Sequence, residues 1–322
     1  MSGRSNYPNG FVQGVTIRGV PLIQTHPGEV FWVNNSGVLA KGGVGGSDGN
    51  DGSYRRPFAT LDKAMTACTA SRGDIVFIMP GHAETETVTN AAIAQLDVAG
   101  VAVIGLGSGD LRPSFTVNEA GNTFDISGAN SIISNIRLVS SVVDVLIGFD
   151  VTAANVVIDS VAFEDVAVGT DLFINPIATS TVDNACDGLV VNNCTYYNVE
   201  TTCEAFIQIR GDLSGLVFTN CKVALGVNDG ECFVGVTTAT DTCTNMYIAD
   251  NDFLRLNTTS PLFFEGTAND CTGWIVRNNL RHADVQTALL IPAGSPVGML
   301  GNLLSEADDV GGFTMPAIGS DA

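Results

Sequence analysis

Basic residues are what this chain has least of. Lys plus Arg number 14 against 34 Asp plus Glu in 322 residues, a formal net charge of −20, and only three are lysines: Lys41, Lys63 and Lys222. Binding nucleic-acid phosphates takes Lys and Arg patches, so no nucleic-acid partner is expected. An anionic membrane surface is disfavoured by the same sign of charge. No apolar run approaches a membrane span, and the start, Met1-Ser2-Gly3-Arg4-Ser5-Asn6, lacks the apolar core of an export signal. Charged residues of either sign are only 15% of the chain beside 45% hydrophobic ones, which excludes disorder. There are three histidines, and the eight cysteines (68, 186, 194, 203, 221, 232, 243, 271) form no CxxC pair. No metal or cofactor site is therefore expected, and the cysteines read as small buried hydrophobes. Helical periodicity is missing through the body of the chain, which excludes helical solenoids.

What is there is a repeat. Seven segments share an apolar pair followed by a short polar corner: Ile132–Asn135, Val157–Ser160, Val190–Asn193, Val217–Asn220, Tyr247–Asp250, Ile275–Asn278 and Met299–Asn302. Their fourth positions step by 25, 33, 27, 30, 28 and 24 residues. A second series, Phe124, Phe149, Phe173, Phe206, Phe233 and Phe263, steps by 25, 24, 33, 27 and 30. Two motifs with one mean period mark a solenoid. Val, Ile and Phe strands joined by Gly, Asn, Asp and Thr turns make it an all-β fold, a right-handed parallel β-helix of about 28 residues per rung. Asn at a corner tolerates a left-handed backbone and can bond its counterpart one rung away, about 4.8 Å along the stack.

A solenoid end needs a cover. In Thr60–Cys68, Thr60 is a cap and Leu61, Ala64, Met65 and Cys68 share a face, which predicts a short capping helix. Strands Ile75–Ile78 and Val101–Ile104 are expected to follow it.

Gly46–Ser53, Arg56-Pro57-Phe58-Ala59-Thr60-Leu61 and Met79-Pro80-Gly81-His82 resemble the opening segment of right-handed β-helix proteins, among them polysaccharide lyases, surface proteins and phage tailspikes. Tyr7–Phe11, Gly14–Pro21 and Pro27–Val33 resemble the start of bacteriophage virion proteins. That resemblance implies an N-terminal particle-attachment segment, residues 1–45, with Phe11, Ile17, Arg18, Phe31 and Trp32 as contacts. Residues 46–73 are then a loop and capping helix, 74–308 the β-helix and 309–322 a tail.

No set of catalytic residues is recognisable. A Lys or Arg base beside acidic ligands, as elimination needs, is not apparent, and Asp308-Asp309 is the one Asp-Asp pair. Asp125 and Asp150 each follow a ladder Phe and can stack on neighbouring rungs, which is the spacing a glycosidase pair requires. Glu204, Glu231 and Glu265 recur near the same strand. Gly105–Gly109 reads as a turn and not a phosphate loop, because Leu111-Arg112-Pro113 breaks the helix such a loop needs. Asp48, Asn50 and Asp51 fall short of the twelve-residue calcium pattern. His82 has no nucleophile in motif with it.

Paired apolar positions such as Phe173-Ile174, Phe206-Ile207, Phe233-Val234 and Phe263-Phe264 force one member outward. With Phe149, Ile174, Ile207, Val234, Phe264 and Ile291 taken as inward, Phe173, Phe206, Phe233 and Phe263 form an outward stripe, expected to seat a homotrimer. The resulting expectation is a non-enzymatic phage virion protein, assembled in the host cytoplasm. It would be a trimeric decoration protein bound to the major capsid protein, with no cofactor and no membrane. The alternative is a tailspike-like glycan-binding or glycan-depolymerising protein.

Overall fold

The computed structural model describes residues 15–17, 20–22, 28–37, 39–40, 42–86, 91–166, 173–197, 203–225, 232–236, 240–255, 271–282, 297–306 and 312–314. They form a parallel β-helix with three faces. The first face stacks ten parallel strands from Val30–Val33 to Val297–Leu300. The second runs from Ala83–Glu86 to Leu303–Glu306, with Gly312–Thr314 added antiparallel at its end. The third has six strands, from Ala92–Leu96 to Cys232–Val236. The inward position Ile133 stacks through Ile158, Val191, Phe218, Ile248 and Ile275 to Met299, steps of 25, 33, 27, 30, 27 and 24 residues.

The corner between first and second faces explains the repeat. Its residue is left-handed in every one of these rungs: Asn135, Ser160, Asn193, Asn220, Asp250, Arg277 and Gly301, with φ between 53° and 67°. Asn278 and Asn302, expected at that corner, lie one residue further on and point inward. There they form a ladder with Asn251. Each side-chain oxygen accepts the backbone N–H of the equivalent residue one rung earlier, Asn251 from Cys221, Asn278 from Asn251 and Asn302 from Asn278, at 2.8–3.0 Å. Each amide nitrogen donates to a core carbonyl, on Phe218, Ile248 and Ile275. Burial of three amides is tolerated because these bonds satisfy them.

One expectation about the N-terminal end changes. The first strand is Val30–Val33, paired with Ile75–Ile78, so the β-helix begins inside the segment expected to attach to a particle. The helix Leu61–Ala67 forms, with the Thr60 hydroxyl accepting from Lys63 N–H and with Leu61, Ala64 and Met65 buried. It covers the open edge of the third face, where the Asp62 carboxylate accepts Gln95 N–H at 2.9 Å. Phe31 packs on the core and Trp32 lies between Tyr54 and Phe77, with ring centroids 4.8 and 5.0 Å away. Ile17 lies in the small hairpin Val15–Ile17/Val20–Leu22, while Phe11 and Arg18 fall outside the described residues.

The outward phenylalanine stripe is not found. Phe173, Phe206 and Phe233 are fully buried, and Phe263 lies outside the described residues. Phe149, Ile207 and Val234 do face in, but Ile174 points out, and Phe264 and Ile291 are not described. The cause is register. Phe149 pairs with Ile177, not with Phe173 or Ile174, and Phe173 pairs with Val145. One rung later Glu204 N–H bonds Ile174 O while Ile207 pairs with Ile177, so the upper strand holds one extra residue. That bulge lets Phe206 and Ile207 both point inward. The stripe that carried the trimer expectation is therefore part of the core, where Phe206 stacks on Phe218 and Phe233 on Phe253.

Candidate functional site

A trough opens on the outer surface of the second face. Strands Ala162–Asp165, Thr195–Tyr197, Lys222–Leu225, Asp252–Arg255 and Asn279–His282 stack in register beneath it. Their middle residues, Phe163, Tyr196, Val223, Phe253 and Leu280, point into the core and fix the sheet. The residues on either side must then point out. One outward row runs Thr195, Lys222, Asp252 and Asn279, the other Tyr197, Ala224, Leu254 and Arg281. Ala224 is small and sits between two large neighbours, Tyr197 and Leu254. The depression it leaves, about 450 Å³, is bordered by Glu164, Lys222, Asp252 and Arg281.

The charges of the trough are paired with one exception. Arg137 Nε holds both Glu164 oxygens at 2.9 Å. Asp252 Oδ1 accepts from Asn279 Nδ2 at 3.0 Å and from the Arg281 guanidinium at 3.3 Å. Lys222 is exposed and takes part in no ion pair among the described residues. Tyr197 is 68% exposed and offers a flat ring to solvent. The trough thus combines an aromatic platform, a cation and hydrogen-bonding groups. Lys222 beside Asp252 is the arrangement of a base next to an acidic group that the linear sequence did not reveal, because the two lie thirty residues apart and meet only through the rung register.

The acids singled out on the third face do come together. Asp125 and Asp150 are directly paired on adjacent strands and half-buried. Arg210, from two rungs further, bonds Asp150 and the Thr179 carbonyl. Burial pushes the Asp150 carboxyl above its usual range; Arg210 opposes this and Asp125 adds to it. Glu204 is exposed beside Asn175, while Glu231 and Glu265 lie outside the described residues.

The remaining motif residues are structural. Asp48 accepts Ala59 and Thr60 N–H at 3.0 and 3.1 Å and so anchors the helix start. Asn50 donates to Gly45 and Pro57 carbonyls, and Asp51 accepts Ser53 N–H. Asn135 Nδ2 donates to the carbonyls of Gly105 and Gly107, so that loop presents oxygens where a phosphate needs N–H groups. His82 is buried. Its Nδ1 accepts Asn35 N–H at 3.0 Å, which leaves Nε2 to donate to Glu84 Oε1 at 2.7 Å, and that oxygen also accepts Leu61 N–H. Helix, first turn and second face are locked together there.

No family model and no curated protein matches the chain. Solved structures share its fold. It is similar to a rhamnogalacturonan lyase at 14% identity, covering 84% of this chain and 87% of that one, with a TM-score of 0.44. It is similar to pectate lyase Pel9A at 13% identity, with 86% and 76% covered and a TM-score of 0.46. A third is the GH136 lacto-N-biosidase from Eubacterium ramulus, at 10% identity, with 87% and 64% covered and a TM-score of 0.40. Likeness at this level shows the parallel β-helix and nothing finer. It corrects one expectation. All three proteins are enzymes, so a β-helix of this kind without a recognised sequence motif is no ground for calling the chain non-enzymatic.

Proposed function

We propose that the chain binds a polysaccharide laid across the second face, and acts on it there. The observation that carries this reading is the Ala224 trough with Tyr197, Lys222 and the Asp252–Arg281 pair on successive rungs. An open trough on a rigid sheet suits an extended polymer better than a compact metabolite, which calls for an enclosed pocket. Strands about 4.8 Å apart present a new pair of outward side chains at each step, a spacing comparable with one sugar unit. The net charge of −20 disfavours nucleic acid, and the strands beneath the trough are each paired on both sides, so they offer no free edge to a peptide there. Lys222 is the group equipped for chemistry: its ammonium can meet a carboxylate on the glycan, and its neutral amine can take the proton from the carbon bearing that carboxylate while the C–H electron pair forms a double bond and the glycosidic oxygen on the next carbon leaves. This reading takes up the tailspike-like alternative of the sequence; the homotrimer lost its support when Phe173, Phe206 and Phe233 proved internal.

The test is affinity electrophoresis against neutral and acidic polysaccharides. The intact protein is expected to be retarded by at least one of them, and Tyr197→Ala to weaken the retardation about tenfold. Ala224→Trp, which fills the trough, should abolish it without altering the circular dichroism. Retention by Ala224→Trp equal to the unaltered protein's would sink the proposal. Cleavage is read separately. Unsaturated chain ends lost in Lys222→Met indicate elimination, and new reducing ends without unsaturation indicate hydrolysis.

A further inference from the structure

The first face carries an apolar row on its outer surface. The inward column of this face runs through Ile133, Ile158, Val191, Phe218, Ile248 and Ile275, all fully buried. The residues just before them in the chain face outward and are in register with one another: Ile132, Val157, Val190, Val217, Tyr247 and Trp274. Ile132, Tyr247 and Trp274 are 40%, 37% and 53% exposed. The column continues to both ends of the face, and none of its ten positions holds a charged residue. At 15% charged residues over the whole chain, one or two charges would be expected among ten positions. An outward strand position facing water ordinarily alternates to polar.

We propose that this row is the contact surface for a second copy of the same chain, giving a two-fold dimer in which first face packs on first face. Ten strands at about 4.8 Å make a row about 43 Å long. With a width of three to four residues the face covers on the order of 500 Å² per chain, or about 1,000 Å² for the pair, which reaches the size of a specific interface. The partner is identified by spacing. An apolar row repeating at every rung is matched along its whole length only by another row of the same repeat, and this chain supplies one. Its symmetry follows from shape. One flat patch per chain that meets itself closes as a two-fold pair, whereas three flat faces cannot all pack face to face. The dimer leaves the second-face trough uncovered, so it is independent of the proposed function.

The row has a built end. The Trp274 ring lies against Gly298 of the next rung, where an added Cβ would come within 2.5 Å of the ring carbons. At the other end Trp32, in the parallel outward row, is already flanked by Tyr54 and Phe77. Among the described residues the uncovered stretch therefore centres on Val190 and Val217.

Sedimentation equilibrium of the full chain at micromolar concentration tests this. The expected result is twice the chain mass, with Val190→Glu/Val217→Glu weakening association at least 100-fold. Val190→Thr/Val217→Thr keeps the β-branched shape and should weaken it less, with an unchanged unfolding midpoint showing that the fold survives. A wild-type protein at the mass of one chain would overturn the proposal, as would association indifferent to both double substitutions. A threefold mass would overturn the two-fold packing.

Discussion

Asp150 shows how a single residue reads differently in sequence and in space. Its carboxyl is raised first by burial and further by Asp125, and Arg210 offsets only part of this. A carboxyl whose folded pKa is raised binds its proton more tightly in the folded than in the unfolded state. The stability it contributes is complete below the unfolded value of about 3.9 and is lost as pH rises through the higher folded value. Asp150→Asn removes that loss. The variant should therefore gain stability relative to the native protein as pH rises from 4 to 7, measured as the difference in urea midpoints. A difference that moves the other way would show the Arg210 pair outweighing burial. The stacking of Asp125 on Asp150 was legible in the sequence because both follow a ladder phenylalanine. The part played by Arg210 was not, because a side chain reaching back across two rungs from a position sixty residues away leaves no local pattern. Lys222 and Asp252 escaped for the same reason.

Among the elements, the repeat period was the most legible feature and the face of each strand the least. A left-handed corner tolerates few residue types, so Asn and its substitutes recur and the corner announces itself. Facing depends on counting residues between corners, and one bulge between Glu204 and Ile207 reverses the count. Evenly spaced phenylalanines then masked the slip, because Phe149 and Phe173 belong to different columns of the same face. The inward ladder beyond the corner was hidden similarly, since its residue type changes along the stack from Ile136 and Val161 to Cys194 and Cys221 and then to Asn251, Asn278 and Asn302. Those types share one property from Cys221 onward. The cysteine sulfur of residue 221 accepts Cys194 N–H at 3.2 Å, doing for one rung what the asparagine oxygens do for the next. Asn278→Ala would leave the Asn251 N–H without its acceptor and take one of the two acceptors of Asn251 Nδ2, which keeps the Phe218 carbonyl, and should cost about 2–4 kcal/mol in urea unfolding. Asn278→Cys, which keeps an acceptor for the N–H, should cost less. Equal losses would mean that volume and not hydrogen bonding governs the ladder.

For the molecule as a whole, charge and shape set opposing demands that salt can separate. Each chain carries −20, so two of them repel at every distance within a Debye length, about 10 Å at 0.1 M salt and 30 Å at 0.01 M. The first-face row contains no charge and Asp159 is the one charged residue in the outward row beside it, so salt has no attractive ion pair to weaken there. Screening therefore acts only on the repulsion between the remaining surfaces. Dimerisation through this row should tighten as salt is raised from 0.01 to 0.3 M, followed by sedimentation at a fixed protein concentration. An interface built instead on cross-chain salt bridges would loosen over the same range. Glycan binding in the second-face trough supplies the internal contrast. If the ligand is anionic and meets Lys222, its affinity falls with the same salt increase that strengthens the dimer. Two surfaces of one rigid prism would then answer ionic strength with opposite signs, because one excludes charge from its contacts and the other depends on it.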